Sequence, residues 1–130
     1  MTNAEVVQAA YAAFAKGDVP GMLTYIDGDV KWEFSGPADI PWSGSFRGHD
    51  GVMQFFSSLT DEMDFLQFQP YAFVSDGNRV IVLGREILRH KQTGQELPTE
   101  WAQAFTVVNE KITAFREYTD TAATAAVFNR

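Results

Sequence analysis

The sequence predicts an α+β fold in which an antiparallel sheet curls around helices that cover one of its faces. Two observations predict this architecture. Apolar residues recur every three or four positions in the first half of the chain, as in amphipathic helices, and long strand-like segments separated by turn residues fill the second half. With 130 residues, 45% of them hydrophobic, we expect one domain over residues 1–130.

The N-terminal region predicts a helical hairpin. In segment 4–16 the apolar side chains fall on one face of a helix, and Gly17 ends that periodicity. Asp18 is suited to cap a second short helix, with Pro20 tolerated in its first turn. The helix-periodic residues of the first helix are Val7, Tyr11 and Phe14.

A half-buried strand and a third helix follow the hairpin. Apolar and polar residues alternate strictly in segment 30–35, which points Val30, Trp32 and Phe34 inward. Segment 36–48 has the Gly, Pro, Ser and Asp content of a loop. The apolar face of the third helix consists of Val52, Phe55, Phe56 and Leu59.

Beyond Phe65 the sequence predicts a four-stranded antiparallel meander. Turn residues separate its strands at 76–77, 91–94 and 109–110. Pro70 has no backbone donor, so we expect a bend, a bulge or a sheet edge there. Long paired strands curl, and the element order α-α-β-α-β-β-β-β-α therefore predicts a hollow between sheet and helices where a ligand can sit.

Composition excludes several classes of function. The chain has no cysteine, which excludes disulfides and thiolate chemistry, and His49 and His90 lack the neighbours that a metal site requires. A net charge of −7 disfavours nucleic acid as a partner. No signal peptide, membrane span or nucleotide-binding motif is visible, so we expect a cytoplasmic protein without cofactor or metal.

The end of the last strand holds the first candidate for chemistry. Period-two spacing places Arg116, Tyr118 and Asp120 on one strand face. If this face looks into the hollow, desolvation would raise the pKa of Asp120 toward the range of a general base, and Arg116 would oppose that shift. Asp is also a preferred N-cap and segment 121–128 is a candidate helix, so a helix cap is the alternative.

Two further side chains are candidates for binding a ligand. Gln103 shares a strand face with Trp101 and Phe105, and its amide either orients a ligand or packs against a helix or another subunit. Trp42 is a large apolar residue in a loop segment, so we expect it to fold over the hollow as a lid or to plug the core.

A charged pair of residues interrupts an apolar strand. Arg85 and Glu86 are on opposite faces of this strand, and whichever points inward needs a partner. We expect Glu86 to form a structural ion pair with Arg116, because buried charges persist mainly when they are paired.

Four segments in order resemble the SnoaL-like branch of the nuclear transport factor 2-like superfamily, which also contains the ketosteroid isomerases. The segments are "FAKGDVPGML" (14–23), "VKWEF" (30–34), "FRGHDGVMQFF" (46–56) and "ITAFREYTD" (112–120). The resemblance covers nearly the whole chain. It implies a cone-shaped, cystatin-like α+β fold, a homodimer joined through the outer sheet face, and an apolar pocket at the wide end of the cone.

The resemblance also implies where a site lies. SnoaL-like cyclases use an acid/base aspartate near the end of the last strand, and Asp120 is the matching position. Similar sequences carry a polar residue, often histidine, near the middle of the preceding strand, and Gln103 stands there, which cannot transfer a proton at neutral pH. Tyr118 and Asp120 do not match the tyrosine and carboxyl groups of the ketosteroid isomerases, so that site is not carried over.

The leading hypothesis is an isomerase- or cyclase-type pocket enzyme for a small apolar carbonyl compound of polyketide type. Asp120 removes a proton next to the carbonyl, and Tyr118 and Gln103 bind the enolate oxygen. The alternative is a non-catalytic ligand-binding or dimerisation module filled by its own aromatic residues. With either function we expect a homodimer, because helices cover only one face of the sheet, with Ile81 and Leu83, or their neighbours in the opposite register, under the partner subunit. The predicted substrate-binding residues are Trp32, Phe34, Trp42, Met53, Phe56, Glu86, Trp101, Phe105 and Arg116.

Overall fold

The computed structural model describes residues 1–129 and has the predicted α+β architecture. The helices in this part of the chain are α1 (Asn3–Ala15), α2 (Val19–Leu23), α3 (Gly48–Glu62) and α4 (Thr121–Phe128). The strands are β1 (Ile26–Phe34), β2 (Gly44–Arg47), β3 (Met63–Asp76), β4 (Arg79–His90), β5 (Glu96–Val108) and β6 (Lys111–Thr119). The order agrees with the prediction, and β2 is a short additional strand inside the segment that was expected to be a loop.

The six strands form one curved, open sheet in the order β2-β1-β6-β5-β4-β3. Strands β3 to β6 make the predicted antiparallel meander, and β1 joins it in parallel beside β6. The register of β3 against β4 shifts between Pro70 and Ala72, so the expected irregularity at the proline is confirmed as a bulge. Bulges and long paired strands give such a sheet its curvature.

The inner face of the sheet is aromatic because the register aligns large side chains across three strands. Phe115 on β6 lies between Trp32 on β1 and Phe105 on β5. The rings of Trp32 and Phe115 stack with centroids 3.9 Å apart. Helices α1 and α3 cover this face and bury their own apolar residues against it, which are Val6, Val7, Val52, Phe55 and Leu59.

Side-chain caps fix the starts of three helices. Thr2 and Glu5 form a reciprocal capping box at α1, and Asp18 caps α2 as predicted by accepting a hydrogen bond from the Gly21 amide at 2.9 Å. Asp120 caps α4 in the same manner. Among the described helices, none combines the length and the apolar character needed to cross a membrane.

Candidate active site

A cavity of about 70 Å³ lies between the inner face of the sheet and helices α1 and α3. Its walls are mainly apolar, as expected for a site that binds a small organic molecule. The charged residues among its described walls are Glu86 and Glu117. The aromatic residues of the walls are Tyr11, Phe14, Trp32, Phe34, Trp42, Phe55, Phe56, Phe65, Phe68, Phe105 and Phe115.

The two glutamates come from strands on either side of β5. Glu86 lies on β4 opposite Thr99, and Glu117 lies on β6 directly opposite Gln103. Glu86 is only 8% exposed, and its carboxyl group has no hydrogen-bond or ion-pair partner within residues 1–129. Glu117 is half-buried and lines the same cavity.

A hydrogen-bonded chain leads from α1 to Glu117. The Tyr11 hydroxyl donates to Oε1 of Gln103, and Nε2 of Gln103 donates to Oε1 of Glu117 at 2.7 Å. Because Tyr11 occupies the amide oxygen, the amide nitrogen must point toward Glu117. This chain of hydrogen bonds fixes the orientation of Gln103 and holds one oxygen of Glu117, while no described residue donates a hydrogen bond to the other oxygen.

The apolar surroundings change the protonation of both glutamates. Burial raises the pKa of Glu86 well above its ordinary value, and the nearby Glu117 charge raises it further. Burial also raises the pKa of Glu117, to about 7, although the hydrogen bond from Gln103 acts in the opposite direction. Both carboxyl groups therefore keep their protons to a higher pH than an exposed glutamate does, and Glu117 readily gains or loses its proton near neutral pH.

Burial also affects the phenol of Tyr11. Desolvation, followed by the charge of Glu117, raises its pKa far above the ordinary value for tyrosine. Tyr11 is consequently protonated at every physiological pH. It acts as a hydrogen-bond donor to Gln103 and takes no part in proton exchange.

Asp120 does not face the cavity, so the prediction of a pocket-facing aspartate is wrong. Its carboxylate accepts a hydrogen bond from the Ala123 amide at 2.9 Å and caps α4, while the residue as a whole is exposed. The backbone leaves the strand at this residue and enters the helix, and the free amides of the first helical turn take the carboxylate. Asp120 is therefore the N-cap of α4, which was the alternative interpretation of this residue.

Tyr118 and Arg116 lie on the outer face of the sheet, so neither can contact a ligand in the cavity. Tyr118 is 52% exposed, and the guanidinium of Arg116 lies 5.2 Å from the centre of its ring. The strand alternates as predicted, but the opposite set of residues points inward. The inward set of β6 is Phe115, Glu117 and Thr119.

The predicted ion pair between Glu86 and Arg116 does not form. Glu86 points inward and Arg116 points outward, on strands separated by β5. Arg85, the neighbour of Glu86, is exposed and lies 4.9 Å from the centre of the Tyr71 ring. Glu86 is tolerated without a cation because its raised pKa allows it to be buried as a neutral acid.

Most of the predicted substrate-binding residues line the cavity, whereas Trp101, Met53 and the outward-pointing Arg116 do not. Trp101 is buried on the inner face beside the cavity, where its ring stacks on that of Phe68 with centroids 5.1 Å apart. Met53 is 46% exposed on α3 and borders a separate surface groove. Trp42 is buried against the ring of Phe128 in α4. The predicted residues that line the cavity are Trp32, Phe34, Trp42, Phe56, Glu86, Gln103 and Phe105.

The sequence prediction omitted Glu117 and did not assign Tyr11 to the site. The sequence does contain a pattern that indicates Glu117, since this residue is two positions from the apolar Phe115 and lies on the same strand face. For Tyr11 the helical periodicity indicates an inward direction, but the periodicity alone does not distinguish a packed phenol from one that donates into a site.

Comparisons with known proteins place the chain in one family. The sequence model of the SnoaL-like domain matches residues 7–115. Curated proteins give no significant match. The chain is 32% identical to a nuclear transport factor 2-like protein from Burkholderia xenovorans LB400, covering 98% of this chain and 95% of that one with a TM-score of 0.88.

Two more distant structures share the fold. A protein from Mesorhizobium loti described as a candidate SnoaL-like polyketide cyclase is 21% identical, with 91% of this chain and 99% of that chain covered and a TM-score of 0.74. A protein from Catenulispora acidiphila with a ketosteroid isomerase-like fold is 14% identical over 96% of this chain and 92% of that chain, with a TM-score of 0.78. At these identities the likeness concerns the fold.

Proposed function

Because this chain belongs to the SnoaL-like domain family, we propose that it is an acid–base enzyme that moves a proton in a small apolar carbonyl compound. The observation that carries this proposal is the pair of buried carboxyl groups, Glu86 and Glu117, in a cavity with aromatic walls. Pairs of titratable groups with displaced pKa values are typical of acid–base sites. Glu117 takes the role of base that the sequence suggested for Asp120.

Glu117 is suited to remove a proton from the carbon next to the carbonyl. A base is most effective when its pKa lies near the working pH, and the pKa of Glu117 is about 7. In the proposed step its free oxygen takes the proton, the C–H electron pair becomes the new C=C bond, and the carbonyl π electrons move to oxygen. The same carboxyl group returns the proton to a different carbon in an isomerisation. In an exchange it first trades the proton for a deuteron from heavy water and then delivers the deuteron to the same carbon.

Glu86 is suited to stabilise the oxygen on which the charge develops. As a buried neutral acid it offers one O–H donor to the enolate oxygen, in a site where little water competes. Gln103 is a positioning residue in this mechanism, since its amide holds Glu117 and is itself oriented by Tyr11. This differs from the sequence-based hypothesis, in which Gln103 contacts the enolate directly.

The test is the exchange of α-protons of cyclohexanone into heavy water, followed by NMR with wild type and with Glu117→Gln. We expect the variant to lose ~10²-fold or more of the enzyme-dependent rate, because the amide cannot accept the proton. Asp120→Asn is the matched control, an acid-to-amide change outside the cavity, and should keep the wild-type rate. Equal rates for wild type and Glu117→Gln would exclude Glu117 as the base.

A non-catalytic ligand-binding module of the same fold is the second candidate. The small volume of the cavity, about 70 Å³, and its many aromatic residues favour it, since they leave room for only a small molecule. This candidate predicts that cyclohexanone binds without any exchange above the buffer rate. Binding measured by calorimetry together with the exchange assay therefore separates the two candidates.

A further inference from the structure

No cationic side chain of the described walls balances the two carboxyl groups of the cavity. One free donor is the buried indole N–H of Trp32, which has no hydrogen-bond partner within residues 1–129. The hydroxyls of Thr119 and Thr124 donate to backbone carbonyls. The Tyr11 hydroxyl donates to Gln103, and the Gln103 amide donates to Glu117. No lysine, arginine or histidine is among the described residues that line the hollow. Two carboxyl groups consequently face an apolar space without a cationic partner.

Glu86 makes this imbalance costly whenever it ionises. It is more than nine-tenths buried, it lines the cavity, and no described residue donates a hydrogen bond to it. A buried carboxylate without a partner is strongly unfavourable, and a cation placed against it removes most of that penalty. A ligand that brings its own positive charge and several N–H donors would complement the Glu86–Glu117 pair.

The walls of the cavity favour the same kind of ligand. Aromatic rings carry negative charge on their faces and attract an ammonium group within about 6 Å. Tyr11 lies within an aromatic cluster, with its ring centroid 5.9 Å from those of Phe68 and Phe73 and 5.8 Å from that of Phe105. The chain as a whole has a net charge of −7, which raises the local concentration of cations.

We propose that the cavity binds small apolar amines as ammonium ions, with the N–H groups donated to Glu86 and Glu117 and the carbon skeleton held against the aromatic walls. This concerns a second class of ligand and does not depend on turnover. An amine bound there occupies the space of the carbonyl compound, so it also acts as a competitive inhibitor of the proposed reaction.

The proposal determines how binding depends on pH. The titratable groups that face the ammonium position from the described walls are Glu86, Glu117 and Tyr11, and the phenol does not ionise in the accessible range. The pKa of Glu117 is about 7, so at pH 5.5 an incoming cation must first displace a proton from the pair. Amine binding therefore strengthens as the pH rises from 5.5 to 8, whereas an uncharged ligand shows no such trend.

The test uses isothermal titration calorimetry with cyclohexylamine and its neutral counterpart cyclohexanol, at pH 5.5 and pH 8. We expect the amine to bind at least ~10-fold more tightly than the alcohol at pH 8, and to lose about tenfold in affinity at pH 5.5. The affinity of the alcohol should be the same at both values. An amine that binds no better than the alcohol at pH 8 would overturn the proposal.

Two variants assign the effect to the cavity. Glu86→Gln keeps the shape but cannot take on the negative charge that a bound ammonium ion stabilises at Glu86, and it should weaken cyclohexylamine about tenfold while leaving cyclohexanol unchanged. Glu96→Gln is the matched control, since the same change of charge is made at an exposed position of β5. Wild-type amine affinity in folded Glu86→Gln would contradict the proposal. If the protein binds the amine but does not catalyse the exchange of cyclohexanone protons, only the proposed function is contradicted. If it catalyses the exchange but does not prefer the amine to the alcohol, only this inference is contradicted.

Discussion

At the scale of single residues, Glu117 and Asp120 lie only three positions apart in the sequence, but their carboxyl groups have different roles. Glu117 is still in the strand and faces the aromatic hollow, so burial raises its pKa to about 7. Asp120 has left the strand and accepts a backbone hydrogen bond at a solvent-exposed helix start. The residue type allows either role, and the direction of the side chain decides between them.

Glu117 should make the protein less stable as the pH rises. Its pKa is 4.5 in an unfolded chain and about 7 in the folded protein, so between these values the folded state holds a proton that the unfolded state has lost. The free energy of unfolding then falls as the pH rises. The whole loss, on the order of 2 to 3 kcal/mol, is reached by pH 8. Chemical denaturation at pH 4.5, 6 and 8 measures this loss.

Glu117→Gln is the variant that isolates this contribution. It should lose less stability than wild type between pH 4.5 and pH 8, because the amide has no proton to release. Glu96→Gln, which removes an exposed carboxyl group, should follow the wild-type curve. If wild type and Glu117→Gln lose stability equally over this range, the raised pKa of Glu117 is contradicted.

At the scale of elements, Trp101 on β5 needs a glycine opposite it on β4. Gly84 pairs with Trp101 in the register, and a Cβ atom at this glycine would overlap the indole ring. Trp101 in turn stacks on Phe68 and approaches Tyr11, with ring centroids 6.4 Å apart for the second pair. The glycine therefore leaves the space that the Trp101 ring needs to pack against two aromatic residues of the cavity wall.

Gly84→Ala should destabilise the fold by ~1–3 kcal/mol, because the methyl group forces the indole ring out of a filled space. Gly28→Ala is the control, since this glycine is also in a strand and a Cβ there meets no atom within 4 Å. We expect the control to remain within ~0.5 kcal/mol of wild type. Equal unfolding midpoints for the two variants in urea would show that the indole ring moves aside without cost.

The succession of elements could be predicted from the sequence, whereas the inward face of β6 could not. Periodicity and turn residues indicate helices and strands locally, and even the irregularity at Pro70 follows from its missing donor. Both faces of β6 carry an aromatic residue and a charged one, namely Phe115 with Glu117 and Tyr118 with Arg116. Alternation alone cannot choose between two such faces, because the choice depends on which strands and helices lie opposite.

The same limit applies to β2 and to the site. Strand β2 is formed by four residues that pair with β1, and such a short edge strand is defined by its partner more than by its own pattern. The chain from Tyr11 through Gln103 to Glu117 joins three elements that are far apart in the sequence. Only Gln103 was identified among its members, because an amide between two aromatic residues is conspicuous on a strand.

At the scale of the whole molecule, the sheet has one face under helices and one face without them. Rows of outward side chains cross the exposed face, with Leu83 opposite Ala102 and Ala102 opposite Tyr118. Leu83 is 38% exposed and Val74 on β3 is largely exposed on the same side. Small alanines between larger apolar residues give a shallow surface that a second copy can meet closely.

We propose that two copies of the chain associate through this outer face, as expected from the resemblance of the sequence to its superfamily. A two-fold interface would bury Leu83 and its neighbours on both copies, and a charge introduced there would be duplicated across the axis. Leu83→Glu should therefore convert a dimer, of twice 14.5 kDa, into a monomer at micromolar concentration in sedimentation equilibrium. Met53→Glu makes the same change at a comparably exposed residue on α3, away from the sheet face, and should leave the dimer intact. A wild-type chain that sediments as a monomer, or a Leu83→Glu variant that remains dimeric, would rule out association through this face.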